Sequence, residues 1–399
     1  MAAVELQQCN VVVMGNLSWP YGMAGTKRIQ HIVDYLKEQG YPISLLLLRQ
    51  GARKSIPEPE GEHRGVTYKT IGHDIKPKLS AMLKAPRYVR DGLHFLKNKK
   101  RSDMNNVVYF YGGPTIESLP FLMYAKSTGY RIVFDIVEEL EDFSEQRHLL
   151  GRIKAKSLVW LDKRLQNLAD GLVVISHYLM ERYRKKLSGN IPMLLMPIAA
   201  HVGTEQEKVA FGDPVKIVYS GSFGNKDGVD NLIDAFINKR ESIPEAQLFL
   251  TGKGQNAEKY RQKVEGEEQI NFVGYLDDDA FYQFLSDADI LCMTRVGSDY
   301  ANAGFPFKLG EYLATGNPVI ASKVGDVPRY LKDREDALLV EPDDVTAISD
   351  ALEYSVRNPS TVLEMGRNGR NKCRQYFDPT ANAAELTRLF NTIFQKDVN

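Results

Sequence analysis

"CNVVVMGNLSWPYGMAGTKRIQHIVDYLKEQGYPISLLLL" (residues 9–48) sets the fold class. A β-branched run, Val11 to Val13, leads into a loop punctuated by Gly22 and Gly25. A helix follows, with Ile29, Ile32, Val33 and Leu36 on one stripe. Gly40 stops it, and a second apolar run follows. Strand, helix and buried strand in that order form a βαβ unit, the repeating element of a parallel doubly wound sheet. Working outward, "NNVVYFYGG" (105–113) reads as a strand, "PTIESLPFLMYAKSTG" (114–129) as a helix and "YRIVFDIVEE" (130–139) as a strand. "DGLVVISHYLMERYRKK" (170–186) supplies a further strand and helix.

The pattern restarts near residue 215. "VKIVYSGSFG" is a strand into a glycine-rich turn, "GVDNLIDAFI" a helix, "AQLFLTGKG" a strand and "AEKYRQKV" a helix. "INFVGYL", "DADILCM" and "PVIAS" add three strands. The expected architecture is α/β, with two Rossmann-like doubly wound domains facing across a cleft. Residues 1–200 form the first and 201–378 the second, joined near "MPIAAHVGTEQEKVAFGDP" (196–214). Such sheets bind ligands outside the carboxyl ends of their strands. In the last segment, 379–399, Leu386, Leu389, Phe390 and Ile393 fall on one helical stripe, which could pack on either domain.

The 399-residue chain is 43% hydrophobic and 26% charged, ordinary for a globular protein. Its zero net charge conceals an asymmetry: residues 1–200 hold 29 Lys and Arg against 19 Asp and Glu, and the remainder holds 22 against 32. The basic half tolerates anionic partners. Three scattered cysteines, Cys9, Cys292 and Cys373, argue against a disulfide framework or a zinc site. No charged N-terminal segment precedes a long apolar stretch, so no secretion signal is expected. Apolar runs such as "ISLLLL" are far short of the roughly 20 residues that cross a bilayer. A cytoplasmic protein, at most peripheral on the inner face of the cell membrane, is the expectation.

"FPFKLGEYLATGNPVIAS" (305–322) is the stretch with chemistry in it. Pro306 suits a helix start, Gly316 a left-handed stop, and Pro318 blocks continuation. Leu309, Tyr312 and Leu313 share one face, and Glu311 lies off it. Taken alone, Glu311 is a solvated glutamate.

Four linked stretches change that reading: "IVYSGSFGNKDGVDNLIDAF", "LFLTGKGQ", "INFVGYLDDDAFYQFLSDADIL" and "AGFPFKLGEYLATGNPVIASKVGDVPRYL". In this order and spacing they resemble the donor-binding domain of glycosyltransferase family 4, the group 1 transferases, which have the GT-B fold. "GMAGTKRI" and "DGLVVISHYL" sit where that family carries its first glycine loop and the last strand of its first domain. The resemblance implies that Glu311 grips the nucleotide ribose. A carboxylate accepts two hydrogen bonds at once, which suits paired hydroxyls. It also implies that the backbone around Gly304, Phe305, Pro306 and Phe307 faces the diphosphate, at the positive end of a helix dipole.

Several positions depart from the family pattern. A first glutamate expected at 303 is Ala303, with Asn302 or Asp299 as replacements; a subgroup with a Lys-Leu-x-Glu-Tyr pattern lacks it too. The family arginine after Gly221 is Ser222, and its lysine stands one place early as Lys226, a candidate for stabilising the leaving phosphate; Lys308 is a second. Where many relatives carry a histidine stands Val137, flanked by Asp135, Glu138 and Glu139. Asp135 or Glu138 would orient the acceptor, or form a charged rim. Gly22 and Gly25 would let backbone approach ligand, and Tyr275 would lie under the base or pack in the core.

Other motifs count for less. Asp277 and Asp279 precede a helix and read as caps rather than metal ligands, and the resemblance implies no obligatory metal or other cofactor. The basic stretch 75–101 reads as a solvated helix or as a docking surface for an anionic membrane; no nucleic-acid fold accompanies it. The resemblance implies retaining transfer of a sugar from a nucleotide-sugar, UDP-linked, to a carbohydrate or lipid-linked acceptor in surface polysaccharide or glycoconjugate synthesis. The alternatives are a sugar-nucleotide epimerase of the same fold and a catalytically silent nucleotide-binding scaffold subunit.

Overall fold

The computed structural model describes the chain outside residues 1–7, 23, 49–57, 73–78, 140–148, 188, 190, 204–206, 275, 277 and 396–399. The chain divides into two compact units, Met1–Pro197 with Pro379–Asn399, and Ile198–Asp378.

The first unit runs β1 (Cys9–Gly15), α1 (Ala24–Glu38), β2 (Ile43–Leu47), β3 (Glu60–His63), β4 (Val66–Thr70), α2 (Leu79–Lys99) and β5 (Asn105–Tyr111). It continues with α3 (Leu119–Ser127), β6 (Arg131–Ile136), α4 (Leu149–Lys163), α5 (Leu165–Leu168), β7 (Gly171–Val174), α6 (His177–Lys186) and β8 (Met193–Leu195). Its eight strands lie in the order β3-β4-β2-β1-β5-β6-β7-β8. All neighbours are parallel except the β3–β4 hairpin, which caps one edge. That hairpin escapes the apolar pattern because β3, "EGEH", is a polar edge strand with no buried residue. Val11 and Val13 of β1 and Ile29, Ile32, Val33 and Leu36 of α1 meet in one core, as their periods require.

The second unit runs β9 (Val215–Ser222), a 3-10 turn (Asn225–Asp227), α7 (Val229–Lys239), β10 (Ala246–Lys253), α8 (Ala257–Lys263), β11 (Ile270–Gly274) and α9 (Asp278–Asp287). Then come β12 (Ile290–Met293), α10 (Asp299–Ala303), α11 (Phe307–Thr315), β13 (Val319–Ser322), α12 (Val327–Tyr330), β14 (Leu338–Val340), α13 (Val345–Arg357) and α14 (Pro359–Tyr376). Its sheet is wholly parallel, ordered β11-β10-β9-β12-β13-β14. The order reverses between β9 and β12, the switch point where such sheets open a ligand crevice. The register shows the opening: β9 pairs with β12 only at Ile217 and Val218, although it continues to Ser222.

The chain then returns to the first unit as α15 (Pro379–Gln395). Leu386, Leu389, Phe390 and Ile393 enter the core of Val11, Val13 and Tyr109, and Phe390 stands 6.5 Å from the Tyr109 ring. Each such buried side chain stabilises by roughly 1.5–3 kcal/mol. Among the described residues no helix is long and apolar enough to cross a membrane.

Candidate functional site

The site of the second unit is built where β9 and β12 part. Beyond Val218 the backbone of Ser220 has no β12 partner, and the Tyr312 hydroxyl takes its place. Ser220 N–H donates to Tyr312 Oη at 2.7 Å, and Tyr312 donates to the Ser220 carbonyl at 2.9 Å. This pins α11 across the crevice. The helix has the expected bounds of a nine-residue segment stopped by Gly316 at φ +80°, with Leu309, Tyr312 and Leu313 buried. Pro306 is its N-cap residue rather than its first helical one. The Phe307 and Lys308 amides open the helix and have no carbonyl one turn back within it.

Lys308 reaches from α11 to the end of β9. Its ammonium donates to Tyr219 Oη at 2.7 Å and to Asp227 Oδ1 at 2.9 Å, and lies 4.3 Å from the centre of the Tyr219 ring. Gly221 makes room for it: at φ +152°, a Cβ there would stand 2.8 Å from Lys308 Nζ. Asp227 is 4% exposed and collects the other contacts of the turn. Its Oδ2 accepts from Ser222 Oγ at 2.6 Å and from Gly224 N–H at 3.2 Å. Tyr219 Oη donates in turn to the Ser222 carbonyl at 2.6 Å.

The turn is latched to the segment after β12. Val296 N–H donates to the Lys226 carbonyl at 3.1 Å, and Thr294 Oγ1 to the Gly228 carbonyl at 3.0 Å. Gly228, at φ +64°, is packed so closely that a Cβ would lie 1.7 Å from the Thr294 carbonyl oxygen. This brings Arg295, 8% exposed, into the electrostatic field of Asp227 and Lys308. Burial raises the Asp227 carboxyl, but Lys308, the Ser222 hydroxyl and Arg295 outweigh it and hold the group below its ordinary value. The Lys308 ammonium is pushed down by burial and by Arg295 and Lys226, against the pull of Asp227. Both directions follow from one carboxylate standing among three cations.

The structure thus brings together Gly221, Ser222, Lys226, Lys308 and the start of α11. Glu311 is half-buried one turn along the same helix. Gly304, Phe305 and Pro306 are buried just before it. Phe305 is 3% exposed and its ring packs 5.4 Å from Tyr330 and 5.5 Å from Phe377, so its side chain anchors the loop. Ser222 ties down Asp227, and Ala303 is fully buried. Of its expected replacements, Asn302 Oδ1 accepts from Gly325 N–H at 2.9 Å, and Asp299 is exposed. Tyr275 lies outside the described residues, as does Asp277. Among the described residues, no three His, Cys, Asp or Glu converge as a metal site.

In the first unit one expectation is corrected. Asp135 is not a rim carboxylate: it is fully buried on β6, and both oxygens accept from Arg28 of α1, at 2.8 and 2.9 Å. Arg28, itself 2% exposed, also donates to the carbonyls of Met196 and Pro197 at 3.0 and 2.8 Å. With no free oxygen, Asp135 is an internal counter-ion, and Glu138 is the exposed acid beyond β6. Gly25 and Gly22 have packing reasons of their own. A Cβ at Gly25 would stand 2.4 Å from Tyr111 Oη, and one at Gly22 1.9 Å from Thr26 Oγ1.

Sequence reasoning missed Arg28, Asp227 and Arg295. Arg28 left a signal, since it falls on the stripe of Ile32 and Leu36, where a charge demands a buried partner. Asp227 reads as an ordinary turn residue, and nothing in the spacing around Arg295 sets it apart.

Residues 203–372 match the family of glycosyl transferases group 1. The phosphatidyl-myo-inositol mannosyltransferase of Mycobacterium leprae is 30% identical over 167 residues, 42% of this chain and 43% of that protein, so the match spans less than half the relative's length. The mannosylfructose-phosphate synthase of Agrobacterium fabrum is 22% identical over 93% of this chain and 87% of its own. The sucrose-phosphate synthase of Thermosynechococcus elongatus superposes with a TM-score of 0.74 at 17% identity, over 97% of this chain and 100% of that one. With its two α/β units the chain has the GT-B fold, and its second unit is similar to the group 1 glycosyltransferases over residues 203–372.

Proposed function

We propose that the protein moves a hexosyl group, mannosyl or glucosyl, from a nucleoside diphosphate donor to a hydroxyl of a carbohydrate or lipid-linked acceptor, with retention of anomeric configuration and without an obligatory metal. The donor proposed first is UDP-linked. The sugar class is supported by the relatives, two of which are named for mannosyl products or transfer. The observation that carries the reading is the cation-lined switch point of the second unit, where Lys226, Lys308 and the start of α11 surround the end of β9.

In this reading Glu311 accepts from the two ribose hydroxyls, and the α11 amides and the lysines take the diphosphate. As the bond from the anomeric carbon to the phosphate oxygen breaks, negative charge grows on the diphosphate, where fixed cations lower the barrier most. The acceptor oxygen bonds to the anomeric carbon on the face the phosphate leaves, and its proton passes to the departing phosphate oxygen. Glu138 is the acid proposed to orient the acceptor. The proposed setting is the inner face of the cell membrane, with surface polysaccharide or glycoconjugate as product. The exposed Arg87, Arg90, Lys97 and Lys100 of α2 and its end would meet anionic lipid there.

The test is thermal-shift titration with UDP, GDP, ADP and CMP, beside donor hydrolysis with UDP-glucose and GDP-mannose. One diphosphate should raise the midpoint, by RT ln(1 + [L]/Kd) in free energy, and Glu311→Ala should abolish the rise. If none shifts the midpoint at millimolar concentration, the transferase reading fails; binding without turnover of any donor leaves the silent scaffold.

A further inference from the structure

The residue after Gly221 at the end of β9 is Ser222, and the positive charge at this strand end is brought by Lys308 of α11. Resting on the donor-site reading above, we propose that Lys308 supplies that charge from α11, and that Asp227, held by Ser222, is the positioning residue that aims the Lys308 ammonium at the donor's diphosphate.

The geometry makes the case. An ammonium has three N–H donors, and two of those on Lys308 go to Tyr219 Oη and Asp227 Oδ1. These two fix the nitrogen beside Gly221, whose lack of a side chain is what admits it. The third donor has no protein partner among the described residues, and the side chain keeps 15% of its surface exposed. Asp227 in turn cannot swing away, because Ser222 Oγ and Gly224 N–H hold its other oxygen at 2.6 and 3.2 Å. An arginine at 222 would carry the charge on β9 itself. Here the serine hydroxyl serves the carboxylate instead, and the cation reaches the same strand end from the neighbouring helix. A lysine left at this depth without its carboxylate would lose its proton readily, since burial and two neighbouring cations already press it that way.

The charged and titratable groups facing Lys308 are Asp227 and Lys226 from the 3-10 turn, Tyr219 from β9 and Arg295 from the segment after β12. Of these, Asp227 is the one anion in hydrogen-bond contact. Replacing it by asparagine keeps the size and removes the charge, so the basic limb of diphosphate binding should move to lower pH.

The experiment compares the affinities of UDP and uridine, and of GDP and guanosine, across pH 6–10 for the full chain. The variants are Lys308→Met, Lys308→Arg, Asp227→Asn, Tyr219→Phe and the pair Ser222→Arg/Lys308→Met. Lys308→Met should cut diphosphate affinity roughly ten- to a hundredfold, the range of one charge-assisted hydrogen bond, and leave nucleoside affinity unchanged. Asp227→Asn should bind diphosphate nearly as well as wild type at pH 6 and lose it at lower pH than wild type does. Lys308→Arg should retain most of the affinity, and the Ser222→Arg pair should regain it. Tyr219→Phe, the mildest change, should show a smaller loss of the same kind should Asp227→Asn not fold. The proposal is overturned if Lys308→Met weakens nucleoside and diphosphate alike, or if neither Asp227→Asn nor Tyr219→Phe alters the pH dependence. If wild type binds no diphosphate at all, the donor-site reading itself fails; if it binds and Lys308→Met keeps the full diphosphate increment, only the present proposal does.

Discussion

Asp135→Asn is the substitution that most sharply separates structure from chemistry in the first unit. The change is isosteric and removes one charge. Wild-type Asp135 and Arg28 are 0% and 2% exposed and joined by two hydrogen bonds, at 2.8 and 2.9 Å. Removing one partner of a buried ion pair costs about 3–5 kcal/mol, because the other charge stays behind without compensation. Arg28 keeps its bonds to the Met196 and Pro197 carbonyls, and the asparagine oxygen can still accept once, which returns about 1 kcal/mol. A loss of about 3 kcal/mol remains. With a urea dependence of about 3 kcal/mol per molar for a unit of this size, the midpoint should fall by about 1 M. The chain's two tryptophans, Trp19 and Trp160, both lie in the first unit, so tryptophan fluorescence reads its unfolding separately from that of the second. The pair Arg28→Met/Asp135→Leu should recover much of the loss, since two apolar groups leave no orphaned charge. A midpoint moved by less than about 0.3 M would refute the counter-ion assignment. So would an unchanged midpoint with transfer abolished and donor binding intact, which would return Asp135 to the acceptor.

Other outcomes follow from the second unit. Glu311→Gln should weaken nucleoside and diphosphate binding together by roughly tenfold or more, the reverse of the Lys308→Met pattern, as read by calorimetric titration. Gly228→Ala should destabilise the unit by more than about 1 kcal/mol, because the residue sits at φ +64° with the Thr294 carbonyl 1.7 Å from the added carbon; circular dichroism melts would show it. Asp227 has a folded-state pKa below its ordinary value, so its stabilisation is present above about pH 4 and disappears as pH falls through the folded value. The stability difference between wild type and Asp227→Asn should therefore be full at pH 7 and shrink towards pH 3. A difference that is flat across that range would contradict the sign.

The sequence by itself determined the alternation of strands and helices in both halves, the nine-residue helix with its glycine stop, and the resemblance of the second half to the group 1 glycosyltransferases. Each rests on local information: a period of two or 3.6, a residue that tolerates a left-handed backbone, or a run of linked motifs. Leu386, Leu389, Phe390 and Ile393 announced an apolar stripe in the same way. Which core it joins is a non-local matter, settled only by the packing of α15 on Val11, Val13 and Tyr109. Asp135 and Asp227 show the same limit in charge. Both read as loop or strand-end acids, and both prove to be buried counter-ions, for Arg28, 107 residues away, and Lys308, 81 residues away. An acid's role depends on which cation the fold brings within 3 Å, and sequence spacing carries no record of that distance. The splay of β9 from β12 after Val218 is likewise a property of two strands together. Tyr312, Lys308 and Asp227 acquire their tasks from it.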